Sequence, residues 1–453
     1  MMIVDVQFKK QPALWRRRMS VRLLTLIVSL VGFASVSTAD PGVRVVVAQS
    51  NSPAAAFSAR PGNGTVFSAV PDKGEIHSGD VLFSLPGANL TTKNNAVTVH
   101  TLADFDSRSP LPIIETAYSL ALPADKDIDL ELILDRGRVN ITNVKPAGSA
   151  IVRLRFWDQS WKIILDAPKT RVTVELCGRW PAGTRFRPTD AKADPAKAPT
   201  PVGSLIFLVL AGSASVDRSG VTVAMRAPPG PAELRWNSLT GSVPQPQRLD
   251  KFPAWADPEL ALSDDGQKLA VASERLRKSI ADDGEKACDT FLSSVDPLSQ
   301  RIALATLAGL DGIERLEKNL STAKTQEQWD FGVTVLRHWI GRTRGQDQQF
   351  YQLLTTRSGY TDAQARIIIQ LLLGFEPGDL NAPETYEVLI DYLRNPKPAI
   401  RSLAAWHLVR LVPQGKPIAF KPNANDDEAR LYQQAWKQLI PSGKLPPAVV
   451  KKP

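Results

Sequence analysis

Residues 132–141, LILDRGRVNI, decide the reading of this chain. Leu132 and Leu134 alternate with polar or outward positions before Gly137, and Val139 and Ile141 do so after it. Alternation with period two is the pattern of a half-buried strand. A glycine between two such runs marks a turn or a bulge. The pattern returns at residues 207–216, FLVLAGSASV, with Gly212 in the place of Gly137. An Ala-Pro step follows later in each case, Ala167-Pro168 and Ala227-Pro228. The stretch therefore predicts a β-rich module with an internal echo.

Working outward, strand patterns run through 66–70, 80–85, 96–101, 128–134, 138–144, 150–157, 161–165 and 171–177. They resume at 205–225 and 232–236. Turn residues separate most of them, among them Gly79-Asp80 and Pro86-Gly87. Many short strands at this spacing predict a sandwich or a short β-solenoid over residues 66–240. Residues 187–203, rich in Pro, Ala and Lys, read as a loop insertion, and residues 40–65 as a flexible lead-in.

After a proline-rich linker at 241–263 the apolar period changes to three and four. Segments 267–281, 285–295, 298–318, 325–342, 346–356, 361–374, 383–394, 398–412 and 426–440 predict helices. Short turns between them predict helical hairpins over 264–447, with a tail at 448–453. The chain is thus expected to be a segregated α+β protein, all-β first and all-α second. Two turns look alike. Asp296-Pro297 leads to Arg301 and Ala305, and Asn395-Pro396 leads to Arg401 and Ala405. This order resembles a HEAT-type repeat, which implies a superhelix with a concave face for a protein partner.

The amino terminus predicts export. Arg16–Arg18 and Arg22 precede an apolar run at 23–36, which ends in small residues up to Ala39. That is a secretory signal cleaved after Ala39, with an uncleaved membrane anchor over 23–39 as the second choice. The net charge of +9 is concentrated there: six basic residues against Asp5 give residues 1–39 a charge of +5, so the remainder carries +4. The charge therefore gives no case for nucleic-acid binding.

Chemistry is sparse. Two cysteines, Cys177 and Cys288, and four histidines offer no metal spacing. His77 beside Asp80 reads as part of a turn. Asp125, Asp127 and Asp129 imitate the start of a calcium loop, but Leu130 and Arg136 stand where glycine and glutamate are required. There is no nucleophile elbow, phosphate loop, zinc-protease motif or dinucleotide fingerprint. No catalytic residue, cofactor or metal is expected. Trp157, Trp161, Trp180 and Arg179 form an aromatic and basic zone that reads either as a glycan- or polyanion-binding surface or as core aromatics with arginines on the opposite strand face.

The run GEIHSGDVLFSL at 74–85, then ELILDRGRVNI and VTVELCGRWPAGTRF, resembles the FecR-like domain over residues 64–240. The matching features are Gly79-Asp80, the Gly137 hinge and Gly183-Thr184-Arg185-Phe186. The resemblance implies an extracytoplasmic β domain, which in the best-known members relays cell-surface signals to a sigma factor. Those members carry a cytoplasmic anti-sigma segment before one membrane helix. The stretch ahead of the apolar run here is about 20 residues, too short to fold. The expectation is therefore an exported, non-catalytic envelope protein that binds a protein partner, with a membrane-anchored sensor or a carbohydrate-binding or hydrolytic protein as alternatives.

Overall fold

The structure is a computed structural model, and it describes residues 44–189, 199–240, 245–418, 420–421 and 424–447. The expected signal at 1–39, most of the loop insertion, the first residues of the linker and the tail lie outside the described residues.

The strands are β1 (Val46–Ser50), β2 (Phe57–Arg60), β3 (Ser68–Ala69), β4 (Glu75–His77), β5 (Val81–Ser84), β6 (Asn89–Thr92), β7 (Val97–Leu102), β8 (Thr116–Ala121) and β9 (Leu130–Asn143). They continue with β10 (Ala150–Phe156), β11 (Gln159–Leu165), β12 (Arg171–Arg179), β13 (Val202–Ala211), β14 (Ser213–Arg218), β15 (Val221–Arg226), β16 (Gly230–Asn237) and β17 (Gln247–Leu249). Pairing arranges them in two sheets. The first runs β4-β1-β6-β7-β9-β12-β13-β16-β17. The second runs β3-β2-β5-β8-β9-β10-β11-β14-β15, antiparallel except between β9 and β10.

β9 belongs to both sheets. Its first half pairs with β8 and β10, and its second half with β7 and β12. The crossing point is Gly137, at φ +95°. A side chain there would overlap Thr116 and the Glu115 carbonyl. Gly212, at φ +74°, does the same between β13 of the first sheet and β14 of the second. The internal echo is a repeated corner at which the chain changes sheet. Alternation does the rest: Leu132, Leu134, Val139 and Ile141 all enter one core with Val152, Leu154, Val172, Val174 and Phe207.

The flexible lead-in is corrected. β1 and β2 fall within residues 40–65, and Phe57 is buried in the core. The linker is also more ordered than expected: β17 pairs with β16, and Trp255 is buried beside Ile206 and Leu208 on the outer face of the first sheet.

The helices are α1 (Asp264–Asp283), α2 (Ala287–Ser293), α3 (Pro297–Gly309), α4 (Ile313–Thr322), α5 (Gln326–Gly341), α6 (Gln346–Thr356), α7 (Asp362–Leu373), α8 (Pro383–Tyr392), α9 (Pro398–Leu411) and α10 (Asp426–Leu439). One helix was expected over 298–318. It is two, because Gly309 and Gly312 flank a break at which Asp311 adopts φ +58°. Side-chain caps fix several starts: Ser263 for α1, Asp296 for α3, and capping boxes at Thr361 and Asn425. α3, α5, α7 and α9 pack in succession, and α4, α6 and α8 each pair with the following member of that row.

The described residues form one compact unit. Ala55, Phe83 and Leu85 of the β region belong to the same apolar cluster as the helices. Arg60 pairs with Asp311 at 3.2 Å, and Arg277 donates to the Ala54 carbonyl at 2.6 Å.

Candidate binding site at the seam

The seam is organised by the connection between β7 and β8, residues 103–115. Asp104 accepts the backbone N–H groups of Arg108 and Ser109, both at 2.8 Å, and so folds the segment on itself. Asp106 accepts from the Ser263 hydroxyl at 2.5 Å and from its backbone N–H at 3.2 Å. Arg108 donates to the Ala261 carbonyl at 2.8 Å. The connection is thereby fastened to the cap of α1.

Glu115 ends this segment and is fully buried. Its carboxylate accepts from Arg136 of β9 at 2.8 Å and pairs with Arg342, just past α5. His338 Nε2 lies 3.4 Å away. Burial opposes the charge, but Arg342, His338 and Arg136 outweigh it and hold this carboxyl far below the usual carboxylate range. Arg136 also donates to the Gly309 carbonyl at 3.2 Å, and Arg342 to Asp311 at 3.0 Å. One carboxylate thus joins β9, α3 and α5. Beyond Gly137, Arg138 pairs with buried Glu175, which also accepts from Ser109 at 2.6 Å. Burial raises the Glu175 carboxyl, against the opposing pull of Arg138. These groups set the geometry of the seam, and Glu115 and Ser109 also reach the wall of the adjoining cavity.

Beside the network lies a cavity of about 380 Å³ between residues 83–86, the β7–β8 connection and helices α1, α3 and α5. Phe83, Leu85, Phe105, Ile114, Leu269 and Phe331 make its wall mostly apolar. Such a volume falls in the range of small-molecule sites. Arg301 of α3 reaches it, half-buried, with its guanidinium 5.0 Å from the centre of the Phe331 ring. Among the described residues it has no hydrogen bond and no ion pair. Burial lowers its pKa, and the Asp104 charge only partly offsets this. Ser273 and Thr306, 4% and 2% exposed, line the same cavity with hydroxyls that lack a hydrogen-bond partner among the described residues.

The two similar helix starts differ in chemistry. Pro297 and Pro398 both occupy the first turn of a helix, and Pro396 stands two residues before the start of the second. Arg401 closes its turn by donating to the Asn395 carbonyl at 3.0 Å. At the other turn Arg275 of α1 takes Asp296, at 3.2 Å. Arg301 is left to the cavity. Ala305, one turn on, lines the cavity with it.

The remaining expected residues are dispersed. Asp80 is buried and paired with Arg44 at 2.6 Å, and Gly79 N–H donates to the Leu120 carbonyl at 2.9 Å. Gly183 sits against α7, its N–H donating to the Leu373 carbonyl at 3.3 Å, and Phe186 N–H donates to Gln370 at 3.1 Å. The aromatic zone does not form a surface. Trp161 is 0% exposed in the β core, Trp157 packs on Gly203 and Trp236, and Trp180 donates to the Ile340 carbonyl at 2.9 Å. Only Arg179 of the four is exposed. Cys177 and Cys288 are buried free thiols in β12 and α2. Among the described residues no cluster of potential metal ligands occurs, and no helix is long and apolar enough to cross a membrane.

No protein-family model, curated protein or solved structure matches this chain. Glu115 and the cavity carry no local sequence signal. Glu115 is one of three acids in an irregular proline-containing segment, and its partners are supplied by distant elements.

Proposed function

We propose that this chain is an exported, non-catalytic binding protein of a bacterial envelope, in which a FecR-like β module and a HEAT-like helical array work as one rigid body. The cavity at their seam carries the reading. It has the size of a ligand site, an apolar wall and one cation, Arg301, that makes no hydrogen bond or ion pair among the described residues. The buried Glu115 network supports the rigid-body part, because it fixes both walls of the cavity at once. Export rests on the basic and apolar pattern of residues 16–39. The helical array remains the surface for a protein partner in this reading.

The experiment is a native mass-spectrometric screen of the purified chain against envelope extract divided into lipid, glycan and peptide pools. A stoichiometric adduct that Ala305→Phe removes supports a binding protein with its site at the seam. Turnover of a pool component, or no adduct from any pool, overturns it.

A further inference from the structure

The geometry points to an amphipathic acid as the seam cavity's ligand: an apolar body of small-molecule size ending in one carboxylate, with the carboxylate on Arg301. This rests on the binding-protein reading and names its ligand class. The other charged groups of the wall, Glu115 and Asp104, are carboxylates that already hold protein partners. Glu115 is held by Arg136 and Arg342, and both oxygens of Asp104 accept backbone N–H groups. Arg301 differs. Its guanidinium lies 5.0 Å from the centre of the Phe331 ring and makes no hydrogen bond among the described residues, so its N–H donors are available to a ligand. Arg275 already serves the turn that would otherwise engage it. A half-buried guanidinium with no direct ion pair is costly, the Asp104 charge offsetting this only in part, and an incoming carboxylate supplies two matched acceptors. The hydroxyls of Ser273 and Thr306 add donors in the same wall. Phe83, Leu85, Ile114 and Leu269 supply the apolar surface that an alkyl or aryl body would bury.

The test uses calorimetric titration of the purified chain with decanoate, decanol and decylamine, which share one body and differ in head-group charge. Decanoate should bind at least about tenfold more tightly than either of the others, the effect of one partly buried ion pair. Arg301→Leu should lose that preference while binding decanol as before, and Arg301→Lys should restore part of it. The thermal midpoint of each variant shows whether it is folded, and Arg301 makes no hydrogen bond whose loss would unfold the chain. Ala305→Phe should weaken all binding by filling the cavity. Equal binding of decanoate and decanol, preference for decylamine, an unchanged decanoate affinity in Arg301→Leu, or no binding by any probe overturns the inference. An uncharged adduct from the envelope pools that Ala305→Phe removes would also overturn it, while leaving the binding-protein reading in place.

Discussion

Gly178 of β12 and Gly341 at the end of α5 meet backbone to backbone. A Cβ on Gly178 would fall 2.6 Å from the Gly341 carbonyl oxygen, and one on Gly341 would fall 2.9 Å from the Arg179 Cα. This approach lets Trp180 donate to the Ile340 carbonyl at 2.9 Å. It also places Arg342, the next residue after α5, where it reaches Glu115. The helical array is therefore held to the sheet by two residues chosen for what they lack, and the ionic network is built on that closeness.

The first prediction concerns Gly341→Ala. In a free helix this change stabilises by about 1 kcal/mol. Here the new methyl has no room, and overpacking of a close contact costs about 1–3 kcal/mol. Urea denaturation should show a net loss of stability. A gain would mean that the two backbones do not touch.

A second prediction separates conformation from crowding at two glycines of similar φ. Gly79, at φ +77°, has nothing within 4 Å of the added Cβ, so Gly79→Ala should cost only the backbone strain, about 1–2 kcal/mol. Gly137→Ala should cost clearly more, because Thr116 and Glu115 occupy the space. Denaturant midpoints of the two variants decide it; equal losses would remove crowding from the account of the corner.

The fold class was legible because both periods are strong where they matter. β9 alternates on either side of Gly137, and the helices from α5 onward repeat at three and four. The glycine corners were visible as interruptions, although not as the places where the chain changes sheet. β1 and β2 were missed because their Ala- and Ser-rich surroundings dilute the alternation, and their burial comes from distant strands. The site was hidden for a related reason. The 103–115 connection has no period, and Glu115 acquires its meaning from Arg136 and Arg342, which only the tertiary fold brings to it. Arg301 stands out in the sequence as part of a repeat-like helix start, but its place at the cavity comes from the tertiary fold.

A third prediction concerns the thiols. Burial pushes both Cys177 and Cys288 up to about 12. At pH 8 the thiolate fraction is then on the order of one in ten thousand, and it is the thiolate that reacts. Neither cysteine should react with an aromatic disulfide reagent in native buffer, and both should react in concentrated guanidinium. Prompt labelling of the native chain would contradict the burial of β12 and α2.

The last prediction is for Glu115. Its folded pKa is depressed well below the ordinary carboxylate range, so its contribution is present above the unfolded pKa and fades as pH falls through the folded one. Glu115→Gln keeps the shape but leaves Arg136 and Arg342 buried together as like charges. Breaking a buried pair in this way costs about 3–5 kcal/mol. The variant should therefore be less stable by that amount at pH 7. The gap should narrow below about pH 4, as the wild-type carboxyl takes up its proton on unfolding. Urea midpoints for both proteins across the acid range give the comparison. A difference that stays constant from neutral to acid pH would show that the carboxylate charge does not hold the seam, and would leave Arg342 to be fixed by the Ala308 carbonyl and Asp311 alone.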